Sequence, residues 1–282
     1  MPPRGLVRTA ADFTLTEVLE LEPIETGLFR SVATFQDPEG LYGGQVLAQS
    51  LRAASRTVGE GFLAHSLHAY FVRPGDPLRR VFFTVHRDRD GRSYAARRVI
   101  AVQDGKVLLN LSASFHVPEG GPDEQGPRLP GVPSPRDVAG HKVLTRTAGV
   151  EFLDAEPGSA LPTPAWVWAR VTDEAIDDDP NLWACMITYV SDICTGLFKL
   201  VDFDWRVRLT SLDHALWLFR PARPRWLLLQ LLGESVSNGR GFYRGNIFDQ
   251  DGALVAGLAQ ESLYRKMDHL RPQTIRRLTE DL

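Results

Sequence analysis

The chain repeats itself at a fixed spacing, and this limits its folds more than any other feature. Residues 64–76 read AHSLHAYFVRPGD and residues 211–223 read SLDHALWLFRPAR, 147 positions later. Each is an aromatic-rich run closing on Arg-Pro, at Arg73-Pro74 and at Arg220-Pro221. The same gapless shift brings Tyr42 onto Tyr189, Arg97 onto Arg244, Ile100 onto Ile247 and the turn Gln103-Asp104-Gly105 onto Gln250-Asp251-Gly252. Matches that keep one register from residue 42 to residue 105 indicate a duplication, which has to be recognised before any motif is weighed.

Both copies share a grammar. Asp-Gly between apolar runs, in IAVQDGKVLLNL and IFDQDGALVAGL, predicts a hairpin in each. Ahead of the strands lies one helical segment per copy. The first covers residues 42–58, with Val46, Leu47, Leu51 and Ala54 on one face; the second covers 182–201 and is apolar almost all round. A helix without a polar face has to be buried. One buried helix followed by about four antiparallel strands, written twice, predicts a sheet wrapped around a central helix. Residues 118–137 are dense in Pro and Gly and read as a linker. The expected division is a first repeat over 10–117, a linker over 118–138 and a second repeat over 139–268. The second copy would then replace the second subunit of a dimer, joining two half-sheets into one.

With 32 Lys and Arg against 35 Asp and Glu, the formal net charge is −3, and there is no basic footprint for nucleic acid. Cys185 and Cys194 are the only cysteines, both inside an apolar run. They build neither a disulfide framework nor a metal spacing, so a reducing compartment is expected. No run approaches the ~18 apolar residues of a spanning helix. The N-terminus lacks a signal-peptide core, and the C-terminal RRLTEDL is not a peroxisomal address. The expectation is a cytoplasmic protein with no membrane association, no metal and no redox cofactor.

The SLDH of residues 211–214 has the residue types of a hydrolase triad. In a strand, however, Ser211 and Asp213 face one side and His214 the other, whereas a triad needs its base between nucleophile and acid, which no strand allows over four residues. No G-x-S-x-G elbow occurs either. Asp213 reads as a structural acceptor. Asp192 is more informative, because it sits in the middle of the apolar helical run, where a carboxylate is costly unless satisfied. At the 147 offset, Asp192 meets Gln45, Ser211 meets Ala64 and Gln260 meets Ala113. The second copy thus holds a carboxylate, a hydroxyl and an amide where the first holds one amide and two methyls. Loss of one of two duplicated sites would leave that asymmetry. His65, His68 and His116 lack ligand-spaced partners and read as core or interface residues. Gly43-Gly44 reads as a tight-packing pair rather than a phosphate site.

At this point the chain resembles the acyl-CoA thioesterase II family, from about Leu28 to Arg265. The likeness rests on LYGGQVLAQSL (41–51), HSLHAYFVRPGD (65–76), RDGRSYAARRV (89–99), ASFHVPE (113–119), YVSDI (189–193), SLDHALWLFRP (211–221), GRGFYRG (239–245) and QDGALVAGLAQE (250–261). It implies an α+β double hotdog, and hydrolysis of fatty acyl-CoA to free fatty acid and CoA in fatty acid metabolism. It also implies a homodimer of double hotdogs. The family's water-holding Asp, Thr and Gln fall on Asp192, Ser211 and Gln260, with Ser for Thr at 211 keeping the hydroxyl.

The chemistry is consistent with that set. A thioester carbonyl is electrophilic and its thiolate leaves readily, so one oriented water suffices. Asp192 would take its proton, while Ser211 and Gln260 fix its position. An Asp192 nucleophile forming an anhydride ranks second. Two rivals remain. One is hydration or dehydration on the same scaffold, which needs an acid–base pair and for which His214 on the far strand face is badly placed. The other is a non-catalytic acyl-CoA-binding protein. Arg73 and Arg220 suit coenzyme A phosphates and ordinary pairing about equally. Trp183, Met186, Phe198, Leu216 and Trp217 are expected to line an acyl tunnel.

Overall fold

The structure is a computed structural model and describes residues 8–266, except 144–146, 160, 162–163, 174–175, 177, 202–206 and 224. The expected end of the second repeat at residue 268 lies outside the described residues, as does the C-terminal RRLTEDL.

In the first half, α1 (Leu15–Leu19), β1 (Leu21–Glu25) and β2 (Leu28–Ser31) precede α2 (Gly43–Ser55). The strands β3 (Leu63–Phe71), β4 (Phe82–Asp90), β5 (Tyr94–Gln103) and β6 (Lys106–His116) follow it. In the second half, β7 (Val150–Asp154) and β8 (Trp166–Val171) precede α3 (Pro180–Val190). Then come β9 (Val207–Ser211), β10 (Asp213–Leu218), β11 (Leu227–Ser237), β12 (Arg240–Asp249) and β13 (Leu254–Lys266).

The strands form one antiparallel sheet in the order β1-β2-β4-β5-β6-β3-β10-β13-β12-β11-β8-β7, with β9 also on β13. The second six mirror the first six. At the seam, β3 pairs with β10, Tyr70 opposite Asp213 and Ser66 opposite Trp217. Two half-sheets therefore make one continuous sheet around the two central helices. All of α2 except Gly43 and Arg52 is buried.

The repeated Arg-Pro has a structural role. Arg73 Nη1 donates to the Val107 carbonyl at 3.1 Å, and Arg220 Nη1 donates to the Leu254 carbonyl at 2.6 Å. The Val72 amide donates to Leu108 at 2.7 Å, and the Phe219 amide to Val255 at 2.9 Å. Each acceptor in the second half lies 147 residues after its counterpart. In both halves these bonds tie the end of the seam strand to the hairpin beside it.

The offset does not hold everywhere. In the first hairpin, Gln103 pairs with Lys106 across a two-residue turn. The second is one residue longer, with the Asp249 amide donating to the Ala253 carbonyl at 2.9 Å. As a result Ala113 pairs with Arg97, but Gln260 pairs with Tyr243. The counterpart of Arg97 is Tyr243, not Arg244. Arg97 is fully buried, whereas Arg244 is exposed and bonded to Glu234 at 2.5 Å.

The helices depart further. α3 starts at Pro180, with the Asp179 side chain accepting from the Asn181 amide at 2.9 Å, and ends at Val190 rather than continuing to 201. Beyond it the chain must pass close to β11: a Cβ on Gly196 would sit 2.7 Å from the Leu232 and Gly233 backbone. Cys194 and Leu197 are buried through a turn, which lays Leu197 against Gly241, not through more helix, while Leu200 is exposed. The C-caps Arg56 and Ser191 are 135 residues apart. Asp192 therefore follows the helix end instead of sitting in its middle. Its counterpart is Thr57, and the pairing with Gln45 fails.

Tyr42 and Tyr189 are likewise not equivalent. They touch instead. Tyr42 caps the start of α2 and Tyr189 lies in the last turn of α3. The Tyr42 hydroxyl donates to the Tyr189 carbonyl at 2.8 Å, and the rings meet edge to face at 5.1 Å. Gly44 permits this approach, since a Cβ there would lie 2.5 Å from the Tyr189 oxygen.

Candidate active site

The contact between α2 and α3 carries Asp192 to the first turn of α2. A Cβ built on Gly43 would lie 2.6 Å from Asp192 Oδ2 and 3.1 Å from the Phe71 ring. The Asp192 side chain is 5% exposed. On its other side, the Ser211 hydroxyl donates to Asp192 Oδ1 at 3.4 Å and accepts from Gln260 Nε2 at 2.8 Å. The three sequence-predicted residues meet at one point, from the α3 exit, the end of β9 and the middle of β13.

His214 belongs to the same cluster, which overturns the expectation from strand alternation. Ser211 pairs with Ser262, whereas Ala215 pairs with Ala259, so β9 and β10 hold one more residue than β13 between those points. This is a β-bulge, and the extra residue inverts the side-chain alternation beyond it. Ser211 and His214 consequently both face inward, and Asp213 faces out. The amide freed at the bulge is satisfied, with Glu261 N–H donating to Asp213 Oδ1 at 2.7 Å. The first half has the same irregularity between Ala64 and Ser66.

His214 is fully buried. Its Nε2 lies 2.9 Å from Ser191 Oγ, its Nδ1 is bonded to Gln260 Oε1, and Nδ1 stands 4.0 Å from Asp192 Oδ1. Burial lowers its pKa below the ordinary histidine range, against the opposite pull of Asp192, Gln260 and Asp213. With both ring nitrogens engaged, it has no lone pair or proton to offer a substrate. No triad forms, because the imidazole lies behind Gln260 rather than between Ser211 and Asp192.

The counterpart positions in the first half are Thr57, Ala64, Leu67, Ala113 and Arg97. Arg97 Nε donates to Thr57 Oγ1 at 2.8 Å, filling the place that Tyr243 holds in the second half. The Asp–hydroxyl–amide set therefore occurs once among these paired positions.

Other expectations are settled by burial and direction. Met186 and Leu216 are buried, but Trp217 points to the outer face of the sheet and is 45% exposed, so it lines no internal tunnel. Alternation places it there once the bulge is counted. Trp183 lies in the first turn of α3 and lines an open groove with Arg170, Arg223 and Arg225, at the helix end remote from Asp192. His65 bonds to Ser114 Oγ at 2.8 Å and packs edge to face on His116 and Tyr94. Burial and the neighbouring His116 lower the His65 pKa.

Comparison with known proteins decides the family. Residues 33–116 match the acyl-CoA thioesterase N-terminal domain, and residues 118–264 match the acyl-CoA thioesterase C-terminal domain. The chain belongs to the acyl-CoA thioesterase family. It is similar to acyl-CoA thioesterase 2 of Haemophilus influenzae, at 30% identity over 89% of this chain and 96% of that protein. The structure of acyl-CoA thioesterase II TesB2 from Mycobacterium marinum shares 34% identity over 91% of this chain and 99% of that one, with a TM-score of 0.76. A hot dog fold protein of unknown function from Alicyclobacillus acidocaldarius, at 19% identity, superposes with a TM-score of 0.72 over 88% of this chain and 97% of that one and supports the fold alone. This acyl-CoA thioesterase is thus a double hotdog and a thioester hydrolase. Among the described residues, no helix is long and apolar enough to cross a membrane.

The glycine pair in this thioesterase supports a paired prediction. Gly44→Ala meets backbone and a packed ring, which cannot yield, so it should lower the melting temperature. Gly43→Ala meets the far end of the Asp192 side chain, which can swing away at little cost in stability. Under the water-attack scheme proposed below, displacing Asp192 by about 1 Å lowers turnover by about 100-fold. Gly43→Ala should therefore melt near wild type and turn over acyl-CoA one to two orders of magnitude more slowly. Calorimetry beside thiol release checks both. Equal turnover of Gly43→Ala and wild type would separate Asp192 from this helix start.

Proposed function

We propose that hydrolysis proceeds by direct attack of a water held by Asp192, Ser211 and Gln260. The observation that carries this reading is the Ser211 hydroxyl, which is bonded at once to Asp192 Oδ1 and to Gln260 Nε2. The water oxygen bonds to the thioester carbonyl carbon as its proton passes to Asp192. The Gly43 and Gly44 N–H groups that open α2, beside Asp192 Oδ2, receive the developing oxyanion, whereas the Gln45 amide is bonded to the Tyr42 carbonyl at 3.1 Å. Collapse breaks the C–S bond, the CoA thiolate leaves, and the proton held on Asp192 is returned to it. The products are a free fatty acid and CoA.

The test is pre-steady-state release of CoA and of fatty acid from short, medium and long acyl-CoAs. Direct attack predicts that both products appear together, with no burst of CoA. A burst of CoA ahead of the acid would reveal an acyl–Asp192 anhydride and overturn the scheme. The chain-length series also reports which acyl groups the enzyme prefers.

Our reading extends to a cytoplasmic homodimer of double hotdogs that pair through their outer sheet faces. Tyr70, Trp217 and Phe219, which are 58%, 45% and 53% exposed, lie on β3 and at the end of β10 around the seam of that face. Light scattering should give twice the chain mass, and Trp217→Glu should halve it. A wild-type monomer at micromolar concentration would remove the dimer.

A further inference from the structure

His214 takes no part in the water-attack scheme, yet its ring is fully buried and bonded at both nitrogens. The atom types fix the direction of the bonds that run between Asp192 and His214. A carboxylate only accepts, so the single Ser211 hydrogen goes to Asp192 Oδ1. Ser211 Oγ must then accept from Gln260, which sets the amide NH₂ toward Ser211, at 2.8 Å. Gln260 Oε1 is thereby turned to His214 Nδ1, and the hydrogen between those two atoms can come only from the ring. On the far side, Ser191 donates its hydroxyl hydrogen to the Thr188 carbonyl at 2.8 Å, and its Oγ stands 2.9 Å from Nε2.

We infer that His214 is a positioning residue, which holds the Gln260 amide with its NH₂ toward Ser211 and the reacting water by donating Nδ1–H to Oε1. A flipped amide would present its oxygen to Ser211 and draw the hydroxyl hydrogen away from Asp192. The water would then lose a donor on one side and an aligned base on the other. The hydrogen bonds run in one sense, from His214 through Gln260 and Ser211 to Asp192. This inference rests on the water-attack reading and adds a residue to it.

The first half supplies a control. Its residue at the place of His214 is Leu67, which pairs with Ala113 as His214 faces Gln260, so the strand position accepts leucine. His214→Leu removes the donor. His214→Asn keeps an N–H on the atom corresponding to Nδ1, whereas His214→Gln moves it toward Nε2. Expected are a kcat at least 30-fold lower for Leu and Gln with KM within about threefold, and recovery by Asn to within about fivefold of wild type. Nitrogen-15 NMR of the wild type should show His214 as the Nδ1–H tautomer, which is the less common form for a solvated neutral imidazole.

An Nε2–H tautomer, or leucine within threefold of wild type, would overturn the inference. Asn no better than Gln would also overturn it, reducing His214 to a packing residue. Asp192→Asn, measured in parallel, separates the two readings. If Asp192→Asn collapses turnover and His214→Leu does not, only the His214 role falls. If neither variant matters, both fall.

Discussion

Asp192→Asn is expected to lower kcat by about 10²–10⁴-fold, the range a positioned general base contributes, while acyl-CoA binding survives. The two side chains have the same shape. The asparagine oxygen can still accept the Ser211 hydrogen, and the Gln260 to Ser211 bond at 2.8 Å does not involve the substituted atoms. What disappears is the capacity to take a proton from water. Asp192→Glu keeps that capacity but pushes the carboxylate forward by one methylene into the space beside Gly43, so it should also be strongly impaired. Thiol release and equilibrium binding of a non-hydrolysable acyl-CoA thioether report the two properties separately. Unchanged turnover in Asp192→Asn would remove this residue from the mechanism. Loss of binding together with turnover would make it a structural residue.

Much of the fold was legible because the duplication repeats both the strand pattern and the turn chemistry. The seam strands and their Arg-Pro ends could be placed from the sequence, since each copy confirms the other. Three things were misread, each for a physical reason. A gapless offset assumes equal turns, and one extra residue in the second hairpin makes Tyr243 rather than Arg244 the counterpart of Arg97. The apolar run 182–201 reads as uninterrupted helix, although the close approach of Gly196 to Gly233 requires the chain to leave the helix first. The bulge hid His214.

That last signal was present in the sequence. Val207 and Leu209 turn inward at odd positions, while Leu216 and Leu218 are buried at even ones. A period-two strand cannot bury both pairs without an extra residue between them. Asp192, Ser211 and Gln260 were legible because the counterparts of the last two are alanines, a contrast that survives any error in the helices. Ser191 carried no such contrast, and the nearness of Gly43 to Asp192 depends on how α2 and α3 pack.

Arg97→Met is expected to destabilise the protein by about 3 kcal/mol, from about 1 kcal/mol for each of three orphaned carbonyls. All five guanidinium hydrogens are used. Nε bonds Thr57 Oγ1 at 2.8 Å; Nη1 bonds the Arg89 and Ala96 carbonyls, both at 2.9 Å; Nη2 bonds the Thr57 carbonyl at 2.9 Å and Asp90 Oδ1 at 2.5 Å. The arginine side chain is 0% exposed and that of Asp90 is 48% exposed, so the ion pair contributes less than its length suggests and the carbonyls dominate. Methionine fills the stem but leaves those three oxygens without a donor. Lysine has three hydrogens and no planar fork, so Arg97→Lys should fall between methionine and wild type. For a chain of this size, about 3 kcal/mol corresponds to a melting temperature lower by roughly 6–12 °C. Arg97 stands in the first half at the place Tyr243 holds beside Gln260, beyond the end of α2 opposite Gly43. Turnover per folded molecule at 20 °C should therefore stay near wild type. A melting shift below 2 °C would show that the guanidinium is dispensable there, and lost turnover in a fully folded variant would place Arg97 in the working site.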